Sequence, residues 1–292
     1  MSAPVAIVGL GLMGEVYAQR LLAAKIPVSG FDVDSARRAR LAEMGGRPAQ
    51  SIAELAGSAR CIIIAVFNTE QVEDVVEGHL LPALGDGSEK AVLCMSTCDP
   101  DRVAALSKRV VPRGIRYLDV PVSGTSDQVR RGEGVALIGG DSTIADDVKD
   151  VLDALFARRF HIGKVGDGGR AKLAVNLILG LNRLALAEGL VFAERLGLDP
   201  AAFLDVARGS ASYSQVMDTK GPKMVRGDFS PEGRIKQTLK DVHLMLDQAA
   251  AVGQKLSALE VHADVLEACA RAGEADCDNS AIINEVRRRR KS

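Results

Sequence analysis

Val5-Ala6-Ile7-Val8-Gly9-Leu10-Gly11-Leu12-Met13-Gly14 runs four apolar residues straight into a GxGxxG turn. An apolar run ending in such a turn is where a first strand hands over to a helix. The three glycines serve different ends: Gly9 permits the tight turn, Gly11 lets the backbone approach a pyrophosphate, and Gly14 lets the helix pack closely on the strand. The unpaired N–H groups of the helix start face the phosphates. All six residues, Gly9, Leu10, Gly11, Leu12, Met13 and Gly14, are therefore cofactor-binding candidates. A second apolar stretch, 28–31, ends at Asp32, eighteen residues beyond Gly14. A carboxylate at that point accepts hydrogen bonds from the adenosine ribose hydroxyls. The pattern implies a bound dinucleotide.

Outward from this turn, apolar runs at 61–66, 91–95, 115–120, 135–138 and 159–162 alternate with helix-like segments. That is a βαβ pattern. Cys61-Ile62-Ile63-Ile64-Ala65-Val66 is apolar without alternation, which marks a strand covered on both faces and hence a mostly parallel sheet. The expected fold class is α/β: a Rossmann-type doubly wound domain over residues 1–162, then an all-helical domain over 163–292. Val66 and Phe67, closing the 61–66 run, join the cofactor-binding candidates.

After Gly163 the texture changes. Gly166-Asp167-Gly168-Gly169 opens a segment to residue 196 with no proline and nearly continuous Leu, Ala, Val and Ile, read as one long helix ended by Gly197 and Asp199-Pro200. A helix apolar nearly all round belongs in an interior, between domains or between subunits. Helix-like stretches follow at 201–207, 235–252 and 256–272 without strand signal. This organisation points to a homodimer or homotetramer.

The chain has 292 residues, 47% hydrophobic and 26% charged, with a formal net charge of −1. That length suggests about two domains, and the charge gives no general attraction for nucleic acid. No leader pattern and no uninterrupted apolar run of about 20 residues is visible, so no membrane partner and a cytoplasmic location are expected. Five cysteines without CxxC spacing read as reduced thiols, and four scattered histidines give no metal signature. The tail Arg287-Arg288-Arg289-Arg290-Lys291 reads as a solvated, mobile end rather than an interaction tag.

Four places offer groups for chemistry. Lys172 and Asn176, spaced i, i+4 at the start of the long helix, share one face. Burial would move such a lysine toward neutrality, where it exchanges a proton with an alcohol or carbonyl oxygen. Asp119-Val120-Pro121-Val122-Ser123-Gly124-Thr125 follows a strand, at the sheet edge where open α/β folds place ligands. Ser96-Thr97 follows another strand, with Asp99-Pro100 beyond it suited to an N-cap and first helical position. Lys240-Asp241 lies within a helix-like stretch, where the lysine would reach phosphate, ribose or substrate.

These residues, in this order, resemble the β-hydroxyacid dehydrogenase family over nearly the whole chain. The family's GLGxMG start appears at residues 9–14, its STxxP-like segment as Ser96-Thr97-Cys98-Asp99-Pro100, and its substrate loop as Asp119-Val120-Pro121-Val122-Ser123-Gly124. Its catalytic helix appears as Gly166-Asp167-Gly168-Gly169-Arg170-Ala171-Lys172-Leu173-Ala174-Val175-Asn176, and its later KD pair as Lys240-Asp241. The resemblance implies Lys172 as acid/base and Asn176 as the residue orienting substrate and lysine. It also implies Ser123, Gly124 and Thr125 at the substrate carboxylate, and Thr97 and Lys240 against the cofactor. The substrate is then a small hydroxycarboxylate and the reaction hydride transfer to or from its 3-hydroxyl carbon. Asp32-Val33-Asp34 favours NAD, because a carboxylate beside the ribose repels the extra phosphate of NADP. Arg37 and Arg38, one turn on, would soften that preference if they were not turned to solvent, so NADP stays possible. Departures from the family are Ser123-Gly124-Thr125 where SGG is common, Val175-Asn176 where Asn-Asn is common, and Gly233 with Arg234 where an aromatic residue precedes the KD pair by seven positions. The first two alter the acid-binding corner; the last, a smaller side chain beside a cation, suggests a larger or more hydroxylated acid than hydroxyisobutyrate. An imine reductase on the same architecture, or a dinucleotide-binding module without catalysis, is disfavoured by the retention of Lys172, Asn176 and Ser123.

Overall fold

A computed structural model of the chain describes residues 4–289. It divides into two compact units, Met1–Lys172 and Leu173–Ser292.

Unit 1 is built on a nine-stranded sheet: β1 (Val5–Val8), β2 (Val28–Phe31), β3 (Arg47–Pro48), β4 (Cys61–Ile64), β5 (Ala91–Cys94), β6 (Arg116–Asp119), β7 (Val122–Ser123), β8 (Val135–Gly139) and β9 (Arg158–Gly163). The order is β3-β2-β1-β4-β5-β6-β8-β7, with β9 paired to β8. Pairing is parallel from β3 through to β6, and antiparallel where β8 meets β6 and β7. The order reverses at β1, so the helix after β1 and the one after β4 leave on opposite faces, which is where doubly wound folds bind ligands. Two strands, β3 and β7, are not legible in the sequence. Each has two residues, too short for periodicity to register.

The unalternating run at 61–64 behaves as its composition demands. Cys61 and Ile63 pack with Val16, Tyr17 and Leu21 on one face; Ile62 and Ile64 pack with Leu55, Val72 and Leu106 on the other. All four are 0% exposed. Burying each isoleucine contributes roughly 2–3 kcal/mol, so any other register would cost this strand heavily.

The long helix, Asp167–Arg195, starts in unit 1 and continues into unit 2. It is not covered all round. Leu184, Leu186, Ala187, Leu190 and Val191 join the unit 2 core, whereas Ile178 and Phe192 stay 61% and 65% exposed. By length and composition alone this helix could cross a membrane. Arg183 and Glu188 interrupt its apolar run, so no uninterrupted stretch announces this in the sequence. The other helices of unit 2 include Pro200–Arg208, Ile235–Ala251 and Ser257–Arg271, close to the expected stretches. Gln215–Thr219, Gly221–Arg226 and Ile282–Arg288 are short helices beyond those expected.

The basic tail departs from its reading as a solvated end. Arg287 pairs with Glu194, Arg288 with Glu274 and Glu285, and Arg289 with Asp264 and Glu285. Glu285 is a local helical partner, whereas Glu194, Glu274 and Asp264 are brought near by the fold and are invisible in the local sequence. Arg290 and Lys291 lie outside the described residues. All five cysteines are free thiols, four of them buried.

Candidate active site

In unit 1 the glycine turn is fixed by close contact. Gly9 has φ +93°, and a Cβ there would lie 2.5 Å from the Ala65 carbonyl oxygen; at Gly14 it would lie 1.9 Å from the carbonyl oxygen of Gly9. Gly11 differs, since a Cβ there would meet only Arg37 Nη1, at 3.6 Å. Its surface is open. Gly11 is the N-cap of the helix Leu12–Ala23 and no side chain caps that helix start, so the first-turn N–H groups suit an anion. Leu10 is buried, Met13 half-buried, and Leu12 38% exposed.

Asp32, 6% exposed, stands beside the turn and braces it. Its Oδ2 accepts from Leu10 N–H at 2.8 Å and Arg37 Nη1 at 3.2 Å, and its Oδ1 from Asp34 N–H at 2.9 Å. Arg37 remains 48% exposed, yet it is tethered to Asp32 and lies over Gly11. Arg38 is half-buried, donating to the Asp32 and Val33 carbonyls with its Cζ 5.7 Å from the centre of the Phe31 ring. Neither side chain is free in solvent.

Of the large apolar side chains that unit 1 leaves exposed, Leu12, Val33 and Phe67 follow the carboxyl ends of β1, β2 and β4. Val66 packs on the turn, its Cγ1 3.2 Å from where a Gly9 Cβ would sit. Ser96 Oγ donates to the Val66 carbonyl at 2.8 Å, tying the ends of β5 and β4 together beside half-buried Thr97. Asp99 caps the helix Pro100–Val110 through Asp101 and Arg102 N–H. An open glycine, an uncapped helix start, a carboxylate and an apolar rim meet at one sheet edge. This combination fits a dinucleotide.

Ser123 ends β7 half-buried, with Gly124 after it. The Thr125 hydroxyl is committed elsewhere: it accepts from Gln128 N–H at 3.2 Å while Thr125 N–H donates to Gln128 Oε1 at 2.9 Å, a reciprocal cap. Asp119, 2% exposed, accepts from Gly169 N–H at 2.7 Å and so fastens the start of the long helix to the end of β6. Burial pushes its carboxyl up to about 7, against the opposing pull of the Gly169 and Gly166 N–H groups. Lys172 follows one turn later, 7% exposed.

In unit 2, Asn176 Nδ2 donates to Asp241 Oδ2 at 3.0 Å, and Asp241 Oδ1 lies 3.0 Å from Lys240 Nζ. Asn176 shares its helix face with Lys172, four residues earlier. Sequence reasoning does not single out Asp241 as a site residue, because the Lys240-Asp241 pair draws attention for its lysine alone. Asp119 likewise stands in view inside the substrate loop without a role. Only the tertiary hydrogen bonds reveal what these two acids do. Arg234 does not stand free: its Nη1 lies 3.3 Å from Asp276, and a Cβ on the neighbouring Gly233 would meet Asn279 Nδ2 at 3.3 Å.

Comparison with known proteins places this arrangement. Residues 4–163 match the family model for the NAD binding domain of 6-phosphogluconate dehydrogenase. Residues 166–286 match the model for the NAD-binding of NADP-dependent 3-hydroxyisobutyrate dehydrogenase. The chain is 30% identical to L-threonate dehydrogenase of Cupriavidus necator, covering 97% of this chain and 96% of that one. It is 28% identical to 2-hydroxy-3-oxopropionate reductase of Escherichia coli, over 96% and 95%. The crystal structure of 3-hydroxyisobutyrate dehydrogenase from Salmonella typhimurium superposes with a TM-score of 0.88 at 28% identity, covering 97% of this chain and 99% of that one. With the glycine turn, the fastened helix and the Asn176–Asp241 pair in place, the chain belongs to the β-hydroxyacid dehydrogenase family of NAD(P)-binding oxidoreductases.

Proposed function

We propose that this protein is an NAD-preferring dehydrogenase that interconverts a small 3-hydroxy acid and its carbonyl form. The observation that carries this reading is the Asn176–Asp241–Lys240 chain of contacts on the helix face that also bears Lys172. The turn at Gly9 to Gly14, with Asp32, Val66, Phe67 and Thr97, would hold the dinucleotide, and Lys240 would lie against it. When bound, the nicotinamide supplies the acceptor or donor for hydride. In the oxidative direction Lys172 Nζ takes the hydroxyl proton as the carbonyl forms; in reduction it returns that proton to the oxygen. Asn176, held by Asp241, orients the oxygen and the lysine. Ser123 Oγ and the Gly124 N–H hold the substrate carboxylate. Positioning supplies much of the acceleration.

The relative named L-threonate dehydrogenase supports a hydroxylated substrate. Exposed Ile178 and Phe192 on the long helix, with Val206 at 66%, support association into a dimer or tetramer through unit 2.

The direct test is an NAD reduction assay across 3-hydroxyisobutyrate, glycerate, threonate, 3-hydroxypropionate and serine. Lys172→Ala is expected to lose turnover by on the order of 10²–10⁴-fold while still binding NAD. Undiminished turnover in that variant would remove the proposed proton carrier.

A further inference from the structure

Outside the residues used above, unit 2 buries a guanidinium that finds no partner among the described residues. Arg183, 9% exposed, has Nε and Nη1 sealed from solvent with no hydrogen-bond acceptor in reach. His262 is 0% exposed, and neither ring nitrogen has a partner among the described residues. The two are neighbours by construction. Gly180, one helical turn before Arg183, packs on the imidazole so tightly that a Cβ there would sit 2.7 Å from His262 Cε1.

The acid whose field reaches Arg183 is Asp278, and it is already filled. Its carboxylate takes Lys220 Nζ at 3.0 and 2.9 Å, Glu232 N–H at 3.0 Å, Gly233 N–H at 3.1 Å and Ser280 N–H at 3.0 Å. A carboxylate offers about four lone-pair sites, so nothing remains for Arg183. Burial draws the Arg183 guanidinium down to about 10, which leaves it charged at neutral pH. It draws the His262 ring down to about 4, which leaves that ring neutral, with one donor and one acceptor to offer. A buried charge without a partner is costly, and a carboxylate is the charged acceptor that guanidinium N–H groups bind most strongly.

We infer that Arg183 and His262 form a carboxylate-binding site within unit 2. Resting on the dehydrogenase reading, its occupant is the far carboxylate of a dicarboxylic hydroxy acid. Arg183 follows Asn176 by seven residues on the same helix face, about 10 Å along the axis, and its side chain leans back toward the helix start. The same chemistry would accept a free carboxylate.

Thermal unfolding without dinucleotide tests the site independently of turnover. Succinate is expected to raise the midpoint of the wild type, and neutral succinamide is not. Arg183→Met should lose that rise and, without ligand, melt at or above the wild type because it removes an unpaired charge. Arg183→Lys, which keeps the charge but not the fork, should retain a smaller rise. A shared succinate shift in wild type and Arg183→Met, or an unliganded Arg183→Met that melts well below the wild type, would show a structural arginine and overturn the inference. Kinetics then separate the sources. A tenfold or greater rise in KM confined to dicarboxylic substrates in Arg183→Met identifies the substrate's own far end. Loss of a succinate effect on every substrate alike identifies a free carboxylate. Absence of turnover with any hydroxy acid would defeat the dehydrogenase reading and leave the unfolding result standing.

Discussion

Asp241 Oδ2 accepts a hydrogen bond from Asn176 Nδ2 across 3.0 Å, linking two helices that lie sixty-five residues apart in the chain. The bond holds the Asn176 amide nitrogen against Asp241 and so fixes which way the amide points; on the proposed reading its carbonyl oxygen serves the reacting groups. Asp241→Ala should therefore lower kcat by on the order of 10²-fold, the cost of a misplaced reacting group, with a smaller change in dinucleotide Kd. Stopped-flow turnover and fluorescence titration check the two separately. Unchanged kcat would mean that Asn176 needs no support.

The glycine turn separates folding from binding. Gly14→Ala forces a Cβ against the Gly9 carbonyl and should destabilise by about 1–3 kcal/mol or more, visible as a lowered melting midpoint. Gly11→Ala meets only a flexible arginine tip at 3.6 Å. It should leave the midpoint of the free protein nearly unchanged and weaken dinucleotide binding. Equal loss of stability in the two variants would contradict this division.

Asp119 gives the stability a pH dependence of known sign. Its folded value is raised to about 7, above about 3.9 in an unfolded chain. Between those values the folded protein keeps a proton that the unfolded chain has released. The contribution is full below about pH 4 and is lost as pH rises through 7, by an amount on the order of a few kcal/mol. Asp119→Asn cannot titrate and should lose less stability than the wild type between about pH 5 and 8 in urea unfolding. Parallel losses would mean that the helix-bound carboxylate is ionised throughout.

On the proposed reading, cofactor choice turns on the Asp32–Arg37 pair. A ribose-side carboxylate should give a higher kcat/KM with NAD than with NADP. Asp32→Asn should lower that ratio by about tenfold, near 1.4 kcal/mol, because it removes the charge that repels a ribose phosphate. Arg37→Ala should raise the ratio by stripping the cation that lies over both Asp32 and Gly11. Wild-type preference for NADP would show that Arg37 outweighs the carboxylate.

Much of the fold is legible because it is written locally. The run at 61–64, the turn at 9–14 and the proline-free stretch after Gly166 each carry their periodicity or glycine spacing within a few residues. The strands β3 and β7 are not legible, since two residues hold no period. Lys172, Asn176, Ser123 and Asp32 stand out through motif spacing. Asp241 and Asp119 do not, because their roles are hydrogen bonds to residues 65 and 50 positions away.

The sequence by itself determined the βαβ order, the glycine turn and the shared helix face of Lys172 and Asn176, since these follow from backbone sterics and helical repeat. Tertiary structure alone decided which acids are spent. Asp119 binds the helix start, Asp241 holds Asn176, and Asp278 is saturated by Lys220 and three backbone N–H groups, leaving Arg183 without a partner among the described residues. A carboxylate has few lone pairs, and which donors reach them is set by distance in space, which spacing along the chain does not encode.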